Sequence, residues 1–353
     1  MKRKILFICL VLISGFARAD MPEKLKNYFC IINKAELWVI DSNYAQAIVE
    51  YENAEMQLGS LYIKDRYNYA VTCALQNQYK KCTEQIKYII GKGGKINAFQ
   101  KNKAFNGYFQ SKEGKQLCDC VSTINPTYNL DYRRKLDSLV YLDQLFRVMP
   151  GGYTLYGDTI RSIDSLNVIT FNNLILKYGF PTEDLIGVDT VKFNRPIYDI
   201  LILHNRTGAK YRTFDFTRLM KTALDSGWLE LHTAADYVEM SNGISIWGIE
   251  ELRPLRCVYD SINMAACYGD QAIKPDYSHF PIGFSAMSSD VENKYNSKRL
   301  AYCLESVNDA RRKALFQLSD KRFDFTYSKL DVFVFPKKSE YDRMMNTLIF
   351  ITK

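Results

Sequence analysis

The fold is decided by the stretch Ile163–Gly187, which reads IDSLNVITFNNLILKYGFPTEDLIG. Mostly apolar residues recur here at spacings of three or four, which predicts a helix with one apolar stripe facing a core. The stripe consists of Ile163, Leu166, Thr170, Leu174 and Tyr178. Gly179 and Pro181 predict that this helix ends there. Thr182 predicts the N-cap of a short second helix, with Asp184 in its first turn. This pattern of helix, stop and new start concerns architecture and indicates no chemistry.

The N-terminal segment 1–19 has the three parts of a secretory signal peptide. Lys2, Arg3 and Lys4 form a positive start, residues 5–16 are an apolar run, and Ala17-Arg18-Ala19 offers small residues to a signal peptidase. Cleavage near Ala19 would place the mature protein in the periplasm or outside the cell. No later stretch approaches 18 apolar residues, so the mature chain is predicted to lack a transmembrane segment.

The bulk composition is that of an ordinary folded protein. The chain has 353 residues, of which 47% are hydrophobic and 24% charged, a length that suggests two or three domains. The formal charge of +8 includes four cations within residues 1–19, so the mature chain carries +4. Without a concentrated Lys/Arg tract, nucleic acid is not an expected partner.

Eight cysteines remain after the predicted cleavage, and an exported protein can join them as disulfides. Cys257 and Cys267 lie ten positions apart, and we hypothesise that they close the segment between them. Cys118-Asp119-Cys120 lacks the spacing of a redox pair or a zinc site. The three histidines are scattered, and no phosphate-binding loop or nucleophile elbow is present, so neither a metal nor a cofactor is predicted.

Residues 20–121 resemble tetratricopeptide repeats, which are paired helices with a period near 34 residues. The small and large residues of the first unit follow that pattern: Ala35, Trp38, Tyr44, Ala47, Tyr51 and Ala54. About 35 residues later the pattern recurs with Ala70, Cys73, Tyr79, Cys82, Ile86 and Ile89. A third unit near 97–122 is degenerate. The alternative is any helical hairpin bundle.

The remaining chain is predicted to be a linker at 122–132, a helical domain at 133–320 and a strand-rich tail at 321–353. Helices are expected near 133–148, 196–205, 216–224, 230–240 and 302–318, with loops over about 270–300. Phe323–Phe325, Leu330–Phe335 and Leu348–Thr352 read as strands. The expected fold is therefore mainly α: tetratricopeptide-like helical hairpins, then a helical domain with a small C-terminal β element.

From about Arg133 to Lys313 the chain resembles the bacterial domain-of-unknown-function family 6624. In that family a DSLN helix leads into a KYG-aromatic-P turn. After this turn come a histidine motif, a YxxDR-like helix, a YGTQ-like motif and a VNxRR-like helix start. The matching segments here are 164–167, 177–181, His204, 247–250 and 307–312. The departures are polar positions: Leu203 precedes the histidine, Arg206 follows it, and Tyr237 replaces an arginine after Asp236.

Two classes of function follow from these residues. The first is an exported interaction module whose repeats bind a protein or peptide, with Trp38, Tyr44, Tyr51 and Trp247 as the binding residues. The second is a hydrolase-like enzyme with His204, Asp236 and Glu250 as catalytic residues. His204 can equally be a structural histidine at a helix end or an exposed one. The eroded polar positions favour binding over catalysis.

Overall fold

The computed structural model describes residues 21–190, 193, 195–207, 216–260, 278, 280–325 and 330–349, and it is mainly helical with a small sheet. The expected fold class is thereby confirmed. The predicted signal peptide and Cys267 lie outside the described residues.

Four helices form two antiparallel pairs at the start of the described chain, and they span α1 Glu23–Ile40, α2 Tyr44–Leu58, α3 Ile63–Leu75 and α4 Tyr79–Gly91. Nine of the twelve residues that the sequence assigned to the repeat pattern are fully buried: Ala35, Ala47, Tyr51, Ala54, Ala70, Cys73, Cys82, Ile86 and Ile89. The other three, Trp38, Tyr44 and Tyr79, are partly buried. Small residues at these places let the backbones approach, and larger residues fill the space between them. Shorter helices follow at α5 Ile96–Gln100, α6 Asn106–Gln110 and α7 Lys112–Cys120.

A long helical hairpin comes next, made of α8 Leu130–Leu145 and α9 Gly152–Tyr178. The end of α9 is confirmed, because Gly179 has a φ of 91° directly after it. Thr182 caps the short α10 Glu183–Ile186 by accepting a hydrogen bond from Leu185 N at 3.3 Å. The turn is therefore built as the sequence predicts.

The predicted apolar stripe of α9 is wrong in its rotation. The face that packs inward consists of Ile160, Asn167, Val168, Phe171 and Leu174, whereas Leu166 is 63% exposed. The helix is apolar on more than one side, so its sequence alone does not say which side packs. Asn167 helps to fix the choice, since its side-chain amide donates to the carbonyl of Leu139 on α8 at 3.1 Å.

The remaining helices are α11 Asp199–Thr207, α12 Thr217–Ser226, α13 Leu231–Asn242, α14 Ser289–Ala301, α15 Val307–Ser319 and α16 Lys338–Met345. Helix α14 lies where loops were expected. Its sequence is polar on most sides, and the only buried residue within it is Arg299, so it lacks the apolar periodicity that identifies a helix.

The sheet has four described strands, β1 Leu255–Tyr259, β2 Ile282–Ser285, β3 Asp331–Phe335 and β4 Leu348–Ile349, in the order β3-β1-β2-β4. Strand β1 runs parallel to β3 and antiparallel to β2, and β4 is antiparallel to β2. Two of the strands thus precede the segment in which the sequence placed them. Phe323–Phe325 is not a strand; its rings pack against Phe316 of α15.

The C-terminal part of the chain lies against the N-terminal hairpins. A disulfide joins Cys30 of α1 to Cys303, across a sequence separation of 273. Asn68 of α3 exchanges two hydrogen bonds with the backbone of Asp324, at 3.1 and 2.8 Å. The hypothesis of a Cys257–Cys267 disulfide is wrong, because Cys257 is a free thiol buried in β1.

Across the described ranges, every helix is too short or too polar to cross a membrane.

Candidate functional site

His204 on α11 meets an acid that the sequence did not single out. Its Nδ1 lies 2.8 Å from both carboxylate oxygens of Asp143, at the end of α8. The Asp143 side chain is almost fully buried, and that of His204 is 15% exposed. A buried carboxylate on Nδ1 fixes the orientation of an imidazole and favours one tautomer. This is the arrangement that holds a histidine for general-base work.

A second carboxylate, that of Asp164, is joined to Asp143 by the guanidinium of Arg147. Arg147 donates two hydrogen bonds to Asp164, at 2.9 and 2.7 Å, and lies 3.4 Å from a carboxylate oxygen of Asp143. Asp164 is the first residue of the DSLN motif, and His204 belongs to the histidine motif. Residues of two motifs that resemble those of family 6624 therefore lie close together here. Ligand atoms of Asp143, Asp164 and His204 lie within 4.8 Å of one another. A metal ion at that position would have to compete with the guanidinium of Arg147.

Asp236 and Glu250, the other two predicted catalytic residues, belong to a second ionic cluster. Asp236 on α13 pairs with Arg195 at 2.8 Å and lies 3.7 Å from Arg253. Glu250 lies 3.6 Å from the same Arg253. Burial lowers the pKa of the Arg195 guanidinium, but the nearby Tyr237, Asp199 and Asp236 reverse this and raise it. The two acids thus share a cation, while the carboxylate on His204 comes from Asp143.

The segment around Trp247, which stands where the YGTQ-like motif is expected, wraps a carboxylate. Glu239 of α13 accepts hydrogen bonds from the backbone N–H groups of four successive residues, 246–249. Trp247 itself is buried and packs edge-on against Tyr302. The ring of Trp247 thus contributes to packing within the fold.

The three aromatic residues predicted to bind a partner on the hairpins also pack within the fold. Tyr51 is fully buried and stacks on Tyr69. Tyr44 stacks on Phe323 and its hydroxyl accepts from Arg322. Trp38 is half-buried against the core. The hairpin face that was expected to be open is thus partly covered by the chain's own C-terminal part.

A network of buried charges joins the hairpins to the C-terminal helices. Lys64 on α3 lies 2.8 Å from Glu36 and 3.4 Å from Glu230. Lys313 on α15 lies 2.5 Å from Glu36 and 3.3 Å from Glu305. Burial alone would raise the pKa of Glu36, but the two ammonium groups lower it to about 2.

Two further groups complete the network. Arg299 donates to Glu305 at 2.6 Å, and His232 Nε2 lies 3.0 Å from the same carboxylate. All of these side chains are buried, so each charge depends on its partners for the solvation that water no longer gives. The network is a structural joint between distant parts of the sequence.

Several large apolar side chains are exposed on the long hairpin. On α9 the exposed side chains Leu155, Leu166, Ile169 and Leu176 are 70, 63, 48 and 75% accessible. Leu166, Ile169 and Leu176 fall on one line along the helix, opposite its buried face, because they are three and seven residues apart. Leu155 lies before the break in the helix at Tyr156. More exposed apolar side chains surround the tip of the hairpin: Tyr141, Leu142, Val148, Met149 and Tyr153.

No family model, curated protein sequence or solved structure matches the chain. The resemblance to the domain-of-unknown-function family 6624 and that to tetratricopeptide repeats accordingly rest on their motifs alone.

Proposed function

We propose that the chain is an exported interaction module that binds a protein or peptide partner through the exposed apolar line of α9. Export is supported by the features of residues 1–19 and by the Cys30–Cys303 disulfide, since such bonds persist in oxidising compartments. The same two features support a periplasmic or secreted location.

The observation that carries the proposal is that α9 has two apolar sides and packs only one of them. A helix that is apolar all round is normally covered on all sides. Burying one large aliphatic side chain contributes about 1.5–3 kcal/mol, so a partner covering Leu166, Ile169 and Leu176 gains several kcal/mol. Contiguous exposed apolar surface of this kind marks interaction sites on soluble proteins.

The position of this face changes which residues are expected to bind. On the repeat-like hairpins, Tyr51 is buried and Tyr44 is in contact with Phe323, so neither ring is free to bind a partner. The hairpin α8–α9 instead carries its apolar line and tip outward. A partner with its own apolar helical face fits a straight line of side chains at helical spacing.

The test compares recovery of partners by variants of the full chain in the native envelope fraction. Leu166→Glu with Ile169→Glu places two charges on the line, and binding should weaken by more than about 100-fold because both apolar contacts are lost and the charges are desolvated. The matched control is Leu300→Glu on α14, an exposed leucine at 75% accessibility outside the hairpin. The proposal fails if the double variant retains the partner that the wild type recovers.

A second candidate function is hydrolysis with His204 as general base, and it is favoured by the contact between its Nδ1 and Asp143. General-base catalysis contributes about 100- to 10,000-fold, so His204→Gln should reduce any ester or amide hydrolysis of the wild type by at least 100-fold. A panel of chromogenic esters and peptides is the assay. A wild-type protein inactive on the whole panel, or a fully active His204→Gln, rejects this candidate.

A further inference from the structure

A cleft of about 340 Å³ opens between the hairpins and the turn after α9. Its walls come from four places in the sequence: the connection 58–63 between α2 and α3, Tyr88 of α4, residues 182–184, and the turn 227–228 after α12. That volume suits a small organic molecule or one side chain.

Three aromatic rings line the cleft, and each is fixed in place. The hydroxyl of Tyr62 donates to the carbonyl of Gly227 at 2.6 Å. The ring of Trp228 stacks on Phe180 with centroids 5.2 Å apart. The Tyr88 ring already holds two cations, since the guanidinium of Arg66 lies 3.9 Å and Nζ of Lys92 5.6 Å from its centroid. Aromatic faces of this kind attract cations.

Two carboxylates complete the lining. Glu183 accepts a hydrogen bond from the backbone N–H of Ile63 at 2.9 Å, which holds it between the turn and α3. Asp184 is exposed at the rim, where Lys92 pairs with it at 2.7 Å. The lining residues that the structure describes include no Lys, Arg or His. The cleft therefore combines aromatic faces with the Glu183 carboxylate, while the cations at its edge, Lys92 and Arg66, are held by Asp184 and the Tyr88 ring.

From this combination we propose that the cleft binds an organic cation, with an alkylammonium or guanidinium head group placed against Glu183 and among the rings of Tyr62 and Trp228. The head group gains charge-assisted hydrogen bonding from the carboxylate and cation–π contact from the rings. The same chemistry is offered by a free amine and by a Lys or Arg side chain of a peptide.

The environment of Glu183 agrees with this assignment. Burial raises the pKa of its carboxyl to about 8, helped by the nearby acids Asp65, Glu230 and Asp184 and opposed by the Ile63 N–H. The half-buried Glu183 thus lies among other acids, which disfavour its charged form. A ligand that brings a positive charge into the cleft would stabilise the ionised form of the Glu183 carboxyl.

The test is calorimetric titration of the full-length oxidised protein at pH 8.5 with three probes. Butylammonium represents a free amine, acetyl-Gly-Lys-Gly-amide represents a peptide side chain, and 1-butanol is the uncharged match. We expect one or both cations to bind and butanol to bind at least tenfold more weakly. Comparable affinities for butanol and butylammonium, or no binding of either cation, overturn the proposal; a preference between the two cations identifies the source.

Three variants make the result specific. Glu183→Gln keeps a hydrogen-bond acceptor for Ile63 but removes the charge, and it should weaken cation binding at least tenfold. Trp228→Leu should weaken it severalfold. Asp158→Asn removes a carboxylate whose side chain is 97% exposed on α9, and it should leave binding unchanged. Unaltered near-UV circular dichroism excludes misfolding, and full affinity in a folded Glu183→Gln refutes the proposed site.

Discussion

Replacing Lys313 with methionine should destabilise the protein by about 3 kcal/mol. The ammonium of Lys313 is fully buried and lies 2.5 Å from Glu36, 2.7 Å from Asn33 and 3.3 Å from Glu305. Methionine fills a similar volume but brings no charge. The carboxylates of Glu36 and Glu305 then remain buried away from water but lose one of their counter-ions. Breaking a buried ion pair in this way costs about 3–5 kcal/mol of stability.

The pKa of Glu36 gives an independent magnitude. It falls from its usual 4.5 to about 2 in the folded chain, which at 1.36 kcal/mol for each pKa unit corresponds to about 3 kcal/mol. That figure is the surplus of attraction by Lys313 and Lys64 over burial. Losing Lys313 removes a large share of this surplus and also one of the cations on Glu305, so about 3 kcal/mol is the expected total.

The sign of the pH dependence follows from the same shift. A carboxyl whose pKa is lowered by folding contributes stability that is complete above its unfolded value of 4.5 and is lost as the pH falls toward 2. The stability difference between wild type and Lys313→Met should therefore be largest near pH 7 and shrink by pH 3. Asp65, whose pKa burial raises to about 6, has the opposite dependence, but it is present in both proteins.

The assay is urea unfolding of both oxidised proteins at pH 7 and pH 3, followed by far-UV circular dichroism. Lys337→Met is the matched control, because Lys337 is 72% exposed and pairs with Glu340 at 3.3 Å; such surface pairs contribute about 0–1 kcal/mol. A loss below about 1 kcal/mol for Lys313→Met at pH 7, or a loss no larger than that of the control, would refute the reasoning.

Two further predictions concern covalent and backbone constraints. Replacing both Cys30 and Cys303 with serine opens a loop of 273 residues and should cost about 2–4 kcal/mol in non-reducing denaturation; a variant as stable as the oxidised wild type contradicts this. Gly187→Ala should cost more than about 2 kcal/mol, because its φ is +72° and the new Cβ would lie 2.4 Å from the Lys92 carbonyl oxygen. Gly179→Ala, with a φ of +91° and open space, should cost only about 1–2 kcal/mol by thermal denaturation, and equal losses for the two glycines would disprove the steric argument.

Features of the fold that depend on neighbouring residues could be predicted from the sequence. The end of α9 at Gly179 and the cap at Thr182 are set by backbone conformation and one local hydrogen bond, so the pattern KYGFPT was sufficient. The small residues of the hairpins, such as Ala35 and Ala47, are buried as predicted because helical spacing fixes their side. Which side of α9 packs was not predictable, since both sides are apolar.

Pairings between distant residues could not be predicted. Asp143 precedes His204 by 61 positions, and nothing in the order of residues distinguishes it from other acids on α8. The partner of Cys30 is 273 residues away, among several cysteines that composition treats alike. Lys64, Lys313 and Glu36 read as ordinary surface charges on three helices. Their burial results from the way those helices pack, which local sequence does not encode.

The position of the disulfide has a consequence for how the protein is made. A chain that enters an oxidising compartment from its N-terminus presents Cys30 early and Cys303 last, with six other cysteines in between. Five of these, Cys73, Cys82, Cys118, Cys120 and Cys257, are free thiols in the folded protein. Each of them is an available wrong partner for Cys30 until residue 303 arrives. If the protein is exported as proposed, correct maturation requires either delayed oxidation or an isomerase that reshuffles non-consecutive disulfides, and the yield of folded protein should depend on that factor.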